Sequence, residues 1–447
     1  MLMKAALILA GGKGARLASR LNGLPKPLVE VAGVPLLERQ LLHCKSSGIE
    51  SVLLLVNHRA DRVAQFCAQK NNFGLNLCLV DDGEPRGTGG AVLAALPHLA
   101  SDPRDVLILY GDTLFNIDLE RFHAAHLAGG ADASLLVHPN THPQDSDLLE
   151  LDESGYVVKL HPCPHPQGAE YPNLVNAALY IMKRSLLADF AYLAGGAPRI
   201  IDFAKDIFPL LLQEGSKLYG YKSPEYIQDV GTPERLERAE ADIFSGRVAK
   251  GSLRLPQRAV FLDRDGVLNE EAGYITGPDQ LKLVPGSARA VSRLNRAGLL
   301  AVVVTNQPVL ARGECDEAGL QAVHTRLEHL LGREGAYLDR LYYCPHHPER
   351  GFPGERPELK TVCACRKPAP GMLFRAACDL HIDLHRSWLV GDRISDIQCA
   401  ANVGCRSVLT GISGRENAFF ADGGEVKPDF QVKDLAAAVD IILRQES

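Results

Sequence analysis

The sequence predicts an α/β protein of two successive domains, each a doubly wound sheet covered by helices. Three observations carry that expectation. At 447 residues the chain is too long for one ordinary core. Runs rich in Val, Ile and Leu alternate with amphipathic segments in both halves, as expected of strands buried on both faces and joined by helices. The alternation pauses once, at VAKGSLRLPQ, then restarts with different chemistry. The expected division is residues 1–246, a linker at 247–257, and residues 258–447.

Composition narrows the class. A 46% hydrophobic and 23% charged content is that of a globular protein. A net charge of −6 gives no electrostatic basis for binding nucleic acid or an anionic membrane. No apolar run is long enough to span a bilayer. The start, MLMKAALILAGG, has one Lys and a short apolar run leading into glycines, so it reads as a first strand and not as a signal peptide. Eleven scattered cysteines, an odd number, point to free thiols and a metal in a reducing cytoplasm, not to a disulfide framework.

In the first half the expected strands are KAALILA, SVLLLVN, LNLCLV, DVLILYGD and ASLLVHP. PLLERQLLHCKSSG and TGGAVLAALPHL are helical between them, and TPERLERAEADIFSG closes the half. LILAGGKGARL follows the first strand directly. Gly11, Gly12 and Gly14 let the backbone approach a phosphate and point N–H groups at it, while Lys13 and Arg16 add positive charge. The G-K-[ST] ending of a Walker loop is absent, and the glycine spacing is not that of a dinucleotide fingerprint. Then come PKPLVEVAGVPLL with Lys26 between prolines, GEPRGTGGA, and YGDTLF after an apolar strand. An Asp at the end of a buried strand faces the crevice where α/β sheets bind ligands.

This set resembles the sugar-1-phosphate nucleotidylyltransferase family over about the first 245 residues. The resemblance implies attack of a sugar 1-phosphate on the α-phosphorus of a nucleoside triphosphate, with pyrophosphate leaving. It implies that Arg16 and Lys26 neutralise phosphates, that Gly87, Thr88 and Gly89 lie against the base, and that Asn176 touches the sugar. Asp112, with Asp229 of YIQDVGTPE, would hold Mg²⁺. One departure stands out: Pro162 and Cys163 of GYVVKLHPCPHP occupy the place of the family's Glu-Lys pair, so that either another cation such as Lys159 substitutes or the domain is impaired.

The second half opens on VFLDRDGVLNE. Asp263 and Asp265 end an apolar strand at i and i+2, which places both on one side. A carboxylate becomes a useful nucleophile only toward a phosphoryl group held in line by cations. VVVTNQ, CRKPAPGM and WLVGDRISD follow in order. The four motifs resemble those of the haloacid dehalogenase (HAD) phosphatases, so that both halves are expected as Rossmann-like three-layer α/β domains. The resemblance implies that Asp263 is the nucleophile and Asp265 the acid and base. Mg²⁺ would sit between Asp263, the Asp265 carbonyl and Asp392, with Thr305 and Lys367 on the phosphoryl oxygens and Asn306 and Arg366 at the substrate.

Between the second and third motifs, CPHHPERGFPGERPELKTVCACRKP gathers Cys344, His346, Cys363 and Cys365. Thiolate and imidazole donors in fours suit a closed, structural Zn²⁺. Clamped, this loop would aim Arg366 and Lys367; the spacing from Cys344 also permits ligation by His347. The loop narrows the resemblance to D-glycero-D-manno-heptose 1,7-bisphosphate 7-phosphatases, with histidinol-phosphate phosphatases as close relatives. In TNQPVLARG, Pro308, Val309 and Leu310 replace the usual S-G-I, a change expected at the substrate mouth. Joined, the halves imply small-molecule partners only, sugar phosphates and a nucleoside triphosphate. The first half most resembles heptose 1-phosphate guanylyltransferases, with another sugar specificity or a regulatory nucleotide-binding domain as alternatives.

Overall fold

The computed structural model describes residues 3–12, 14–21, 23–81, 83–99, 104–195, 199–411 and 426–446, so Lys13 lies outside the described residues. By packing, the chain forms two compact units. The first comprises Met1–Val137, Leu149–Pro162 and Asn176–Ser252; the second comprises His138–Leu148, Cys163–Val175 and Leu253–Ser447. Two segments of the nucleotidyltransferase-like half, 138–148 and 163–175, thus pack with the second unit. Of the stretch read as a linker, Arg247–Lys250 is a helical turn, and Val248 packs on a core cluster built around Leu17, Leu114 and Val230.

The main sheet of the first unit is centred on Ala5–Leu9, which pairs in parallel with Ser51–Val56 on one side and Asp105–Tyr110 on the other. Asn76–Asp81 extends it in parallel beyond Ser51–Val56. The chain therefore winds outward on one side of the first strand and then crosses to the other, which opens a crevice at the strands' carboxyl ends. The expected strands are found within a residue or two, but the sheet is mixed: Val175–Lys183 runs antiparallel to Asp105–Tyr110. Ala6, Leu7 and Ile8 have no solvent exposure, which explains the unbroken apolar run.

Among the described residues the sheet of the second unit has six parallel strands, in spatial order Arg340–Cys344, Leu300–Asn306, Ala259–Leu262, Trp388–Gly391, Arg406–Leu409, Phe430–Gln431. Chain order again reverses at the first strand. Val260 and Leu262 enter the core on one face, Ala259 and Phe261 that on the other. Asp263 follows this central strand, flanked by the ends that carry Thr305 and Asp392. Among the described residues, no helix is long and apolar enough to cross a membrane.

Candidate active sites

A cleft of about 410 Å³ lies at the carboxyl ends of the first unit's central strands. Gly11, Gly12, Lys26, Arg86, Gly87, Thr88, Tyr110 and Asp112 are among its walls. Gly14 is not; its φ of +64° and the 2.9 Å from its missing Cβ to Leu21 Cδ1 make it a turn residue behind the wall. Gly89 is also turned away. Its N–H donates to the Ile201 carbonyl at 2.9 Å, and a Cβ would come within 2.5 Å of Ile207 Cδ1. At Gly87, a Cβ would stand 2.4 Å from the Ile201 carbonyl oxygen, so glycine is required there by close backbone approach.

Lys26 Nζ donates to Asp112 Oδ2 at 2.5 Å. Ile227–Asp229 runs antiparallel to Thr113–Phe115 with Asp229 opposite Thr113, and the Val230 N–H donates to the Asp112 carbonyl. That pairing brings two carboxylates, 117 positions apart by number (229 minus 112), onto one short ribbon. Around Gly231, the position of a missing Cβ is 3.1 Å from Asp229 Oδ1, 3.7 Å from Arg16 Nη2 and 3.8 Å from Lys26 Nζ. Arg16, Lys26, Asp112 and Asp229 therefore meet. Sequence reasoning missed Arg235, whose Nη1 reaches both Asp229 oxygens at 2.6 and 2.7 Å. Two carboxylates fit a Mg²⁺ that takes its remaining ligands from water and substrate phosphates, provided Arg235 yields Asp229.

The polar floor of the cleft continues inward. Thr88 Oγ1 donates to Asp202 Oδ2 at 2.8 Å, and the rings of Tyr110 and Tyr180 meet edge to face at 6.0 Å. Burial pushes both phenols above their ordinary range. Asn176 bonds the Tyr180 hydroxyl and accepts the Ala178 N–H at 3.2 Å, with Ala178 held at φ +55°. Asn176 is thus linked to the cleft wall at two removes, through Tyr180 and then Tyr110. Near the replaced Glu-Lys pair, the Cys163 N–H donates to Asp147, Lys159 is exposed, and buried His161 lies 2.6 Å from Glu150.

In the second unit, ligand atoms of Asp263, Asp392 and Asp396 all lie within 4.8 Å of one another. Lys367 Nζ sits 2.9 Å from Asp263 Oδ1 and 2.6 Å from Asp396 Oδ1. Two glycines make room: a Cβ on Gly266 would be 2.3 Å from Asp392 Oδ2, and one on Gly391 would be 2.3 Å from Asp396 Oδ2. Three acids against one ammonium leave an excess of negative charge. Burial first, and Asp396 next against the pull of Lys367, push Asp263 up to about 7. Burial and Asp396 push Asp392 up to about 6. For Lys367, burial opposes the charge, but Asp263 and Asp396 outweigh it and hold the ammonium. Asp392 Oδ1 is buried with no hydrogen bond. A buried, orphaned carboxylate oxygen in an acid-rich cradle fits a divalent cation.

The third carboxylate of the cradle is Asp396, which the sequence reading left without a role. The carboxylate of Asp265 lies outside the cradle, held by Arg264 at 2.9 Å on each oxygen, by Asn269 at 2.9 Å and by Gln307 at 2.8 Å. Thr305 is buried, and its Oγ1 accepts from Gln307 at 2.8 Å. Asn306 does not face outward as a binding group alone: it clasps the Lys367 backbone, donating to its carbonyl at 3.1 Å and accepting its N–H at 3.0 Å. Arg366 donates to the His346 carbonyl at 3.2 Å. Val309 and Leu310 are 1% exposed, so these two of the three departures in TNQPVLARG fill core, while Pro308 is half-buried.

Cys344, His346, Cys363 and Cys365 form a second group of convergent ligands. Five of the six separations among their Sγ and Nδ1 atoms are 3.1 to 3.7 Å, and all lie within 4.8 Å. A tetrahedral zinc site with Zn–S near 2.3 Å has edges of roughly 3.5–3.8 Å, so a few tenths of an ångström of expansion admits the ion. His347 turns instead toward Arg312 at 3.5 Å and packs edge-on against Phe352.

The nucleotidyl transferase family model matches residues 5–246, and the HAD-hydrolase-like model matches residues 364–438. The D-glycero-D-manno-heptose-1,7-bisphosphate 7-phosphatase of Thermosynechococcus vestitus is 44% identical over 195 residues, 42% of this chain and 96% of that protein. The Escherichia coli K12 D-glycero-beta-D-manno-heptose-1,7-bisphosphate 7-phosphatase is 43% identical over 153 residues, 34% of this chain and 78% of that protein. Among solved structures, HddC from Yersinia pseudotuberculosis aligns at 23% identity and a TM-score of 0.45, covering 54% of this chain and all of that one. The D,D-heptose 1,7-bisphosphate phosphatase from Bordetella bronchiseptica, complexed with magnesium and phosphate, aligns at 36% identity and a TM-score of 0.37, covering 42% of this chain and 99% of that one.

Proposed function

The chain belongs to the nucleotidyl transferase family through its first half and to the D-glycero-D-manno-heptose-1,7-bisphosphate 7-phosphatase family through its second, and on that premise we propose that it makes a nucleotide-activated heptose by two reactions. The second unit removes the 7-phosphate of heptose 1,7-bisphosphate. The first transfers a nucleotidyl group, GMP from GTP, to the heptose 1-phosphate that results. One observation carries the reading: each unit has its own cluster of acids and cations at the point where strand order reverses, Lys26–Asp112 in one and Lys367–Asp263 in the other. The phosphatase relatives supply the sugar; a sugar 1-phosphate is what the other half's chemistry consumes. The reading puts the enzyme in the cytoplasm, where thiols stay reduced.

In the cutting reaction Asp263 attacks phosphorus, and the P–O bond to the sugar breaks as Asp265 gives its proton to the leaving oxygen. Asp265 then takes a proton from water, whose oxygen attacks phosphorus and releases Asp263. Lys367 and Thr305 bind the phosphoryl oxygens, and Asn306 holds the Lys367 backbone in place. Asp263, Asp392 and the Asp265 carbonyl would hold Mg²⁺, with Asp396 behind them. When bound, that ion neutralises charge on the nucleophile and phosphate. Zn²⁺ in the Cys344–His346–Cys363–Cys365 group would fix the loop that presents Arg366 and Lys367.

In the building reaction an oxygen of the sugar phosphate attacks the α-phosphorus of GTP and pyrophosphate departs. No covalent enzyme intermediate is required, so positioning and charge carry the rate. Arg16, Lys26 and the N–H groups of Gly11 and Gly12 face the phosphates. Asp112 and Asp229 would hold a second Mg²⁺, Gly87 and Thr88 border the base, and Asn176 acts with Tyr180 at the sugar. Incubation with heptose 1,7-bisphosphate, GTP and Mg²⁺, followed by mass analysis, should give GDP-heptose, phosphate and pyrophosphate. Release of phosphate alone, with GTP bound but intact, would instead make the first unit a nucleotide-binding regulator.

A further inference from the structure

Between the two motif aspartates lies Arg264, a residue to which no role attaches in the reaction above. Its side chain is 1% exposed. Removing a guanidinium from water costs several kcal/mol, which only good partners offset. Among the described residues its carboxylate partner is Asp265, gripped through Nε at 3.2 Å and through Nη2 at 2.9 Å to each oxygen. Arg264 Nη1 is buried without a hydrogen bond, and so is Nε2 of the neighbouring, 4% exposed His324. Burial, and then the Arg264 charge, hold that imidazole neutral, so it supplies no counter-charge. The arginine is committed to one carboxylate.

Two more donors complete the hold. Asn269 Nδ2 meets Asp265 Oδ1 at 2.9 Å, and Gln307 Nε2 meets Oδ2 at 2.8 Å while also donating to Thr305 Oγ1 at 2.8 Å. Both carboxylate oxygens are thereby fixed in direction, and Gln307 ties Asp265 to the hydroxyl that faces the phosphoryl group.

We propose that Arg264, assisted by Gln307 and Asn269, is a positioning residue that sets the orientation from which Asp265 delivers its proton to the leaving oxygen. The proposal rests on the phosphatase reading. In the step concerned, the Asp263 oxygen forms a bond to phosphorus, the phosphorus–ester oxygen bond breaks, and the Asp265 proton ends on the departing sugar hydroxyl. Arg264 touches neither phosphate nor sugar in this scheme; it acts through Asp265.

The test separates acid delivery from general damage. An alkoxide leaves only with a proton, whereas 4-nitrophenolate leaves without one. Both Arg264→Met and Arg264→Lys are assayed on heptose 1,7-bisphosphate and on 4-nitrophenyl phosphate, with kcat/KM reporting the step that forms the aspartyl phosphate. Arg264→Met should lose about 100-fold on the sugar ester, within the range a general acid contributes, and under about fivefold on the aryl ester. Arg264→Lys should recover part of the sugar-ester rate. In an Asp265→Asn background, Arg264→Met should add less than about twofold, as residues acting as one unit do. Should the buried charge prove essential for folding, Gln307→Met removes one donor and no charge. It should show the same split at about tenfold. Equal losses on both esters, or full additivity with Asp265→Asn, overturn the positioning role. An Asp263→Asn enzyme that still hydrolyses either ester overturns the phosphatase reading itself.

Discussion

Replacing Lys367 by Met removes the single ammonium from a pocket of three acids. Lys367 is 2% exposed and lies 2.9 and 2.6 Å from two carboxylates that are themselves 11% and 0% exposed. At an effective dielectric near 20, each contact at about 2.8 Å carries roughly 6 kcal/mol of Coulomb attraction. Most of that is offset by the desolvation of the three groups. Breaking a buried pair by removing one partner nets about 3–5 kcal/mol of lost stability. The loss must depend on pH. Burial and the neighbouring Asp396 push Asp263 up to about 7 and Asp392 up to about 6 in the folded protein, above the roughly 3.9 of an unfolded Asp. The folded state therefore binds more protons across that window, and wild-type stability without Mg²⁺ falls as pH rises from about 4 to 7. Without Lys367 the fall should steepen: about 3–5 kcal/mol lost at pH 8 and less than half of that at pH 5, where Asp263 and Asp392 carry protons. The only tryptophan, Trp388, is 1% exposed in the central sheet of the second unit. Its fluorescence in a denaturant titration in Mg²⁺-free buffer follows that unit alone. A loss below about 1 kcal/mol at pH 8, or equal losses at both pH values, refutes the reasoning.

Other consequences are as specific. Gly266→Ala sets a Cβ 2.3 Å from Asp392 Oδ2 at a φ of +78°; phosphate release and Mg²⁺ binding to the second unit, followed by calorimetry, should both fall at least tenfold while pyrophosphate release continues. Cys365→Ser removes one of four convergent donors, so zinc content by atomic absorption should drop from one equivalent toward zero, and phosphate release should weaken as Lys367 loses its anchor. Phe261→Ala empties a fully buried position within the strand that leads to Asp263 and should cost about 3–5 kcal/mol by the same fluorescence titration, with the first unit's pyrophosphate release unchanged.

The sequence spoke clearly wherever chemistry and chain order coincide. Ala259–Leu262 is a strand with Asp263 directly after its tip, and the C-x-H and C-x-C pairs close on one point. What stayed hidden depends on contacts between distant segments. Asp396 looks like any first-turn helix acid until Gly391 lets it swing under Lys367. Arg235 lies in the first turn of the helix Pro233–Phe244, after the strand that ends at Asp229, and reads as a solvated charge. Gly14 and Gly89 share a motif with true cleft residues, yet they serve turn geometry and close packing. Val309 and Leu310 differ from the family's usual letters just after the TNQ motif, but burial and not binding explains them. The mixed sheet was equally illegible, because a buried antiparallel strand carries the same apolar run as a parallel one.

Two phosphorus-directed sites that work separately in one chain can be silenced one at a time, which phosphorus NMR of two variants would read out. Given heptose 1-phosphate and GTP, Asp263→Asn should release pyrophosphate at the wild-type rate; given heptose 1,7-bisphosphate, it should release no phosphate. Asp112→Asn should do the reverse, with at least a 100-fold loss of pyrophosphate release. A folded variant of either kind that loses both signals contradicts the account.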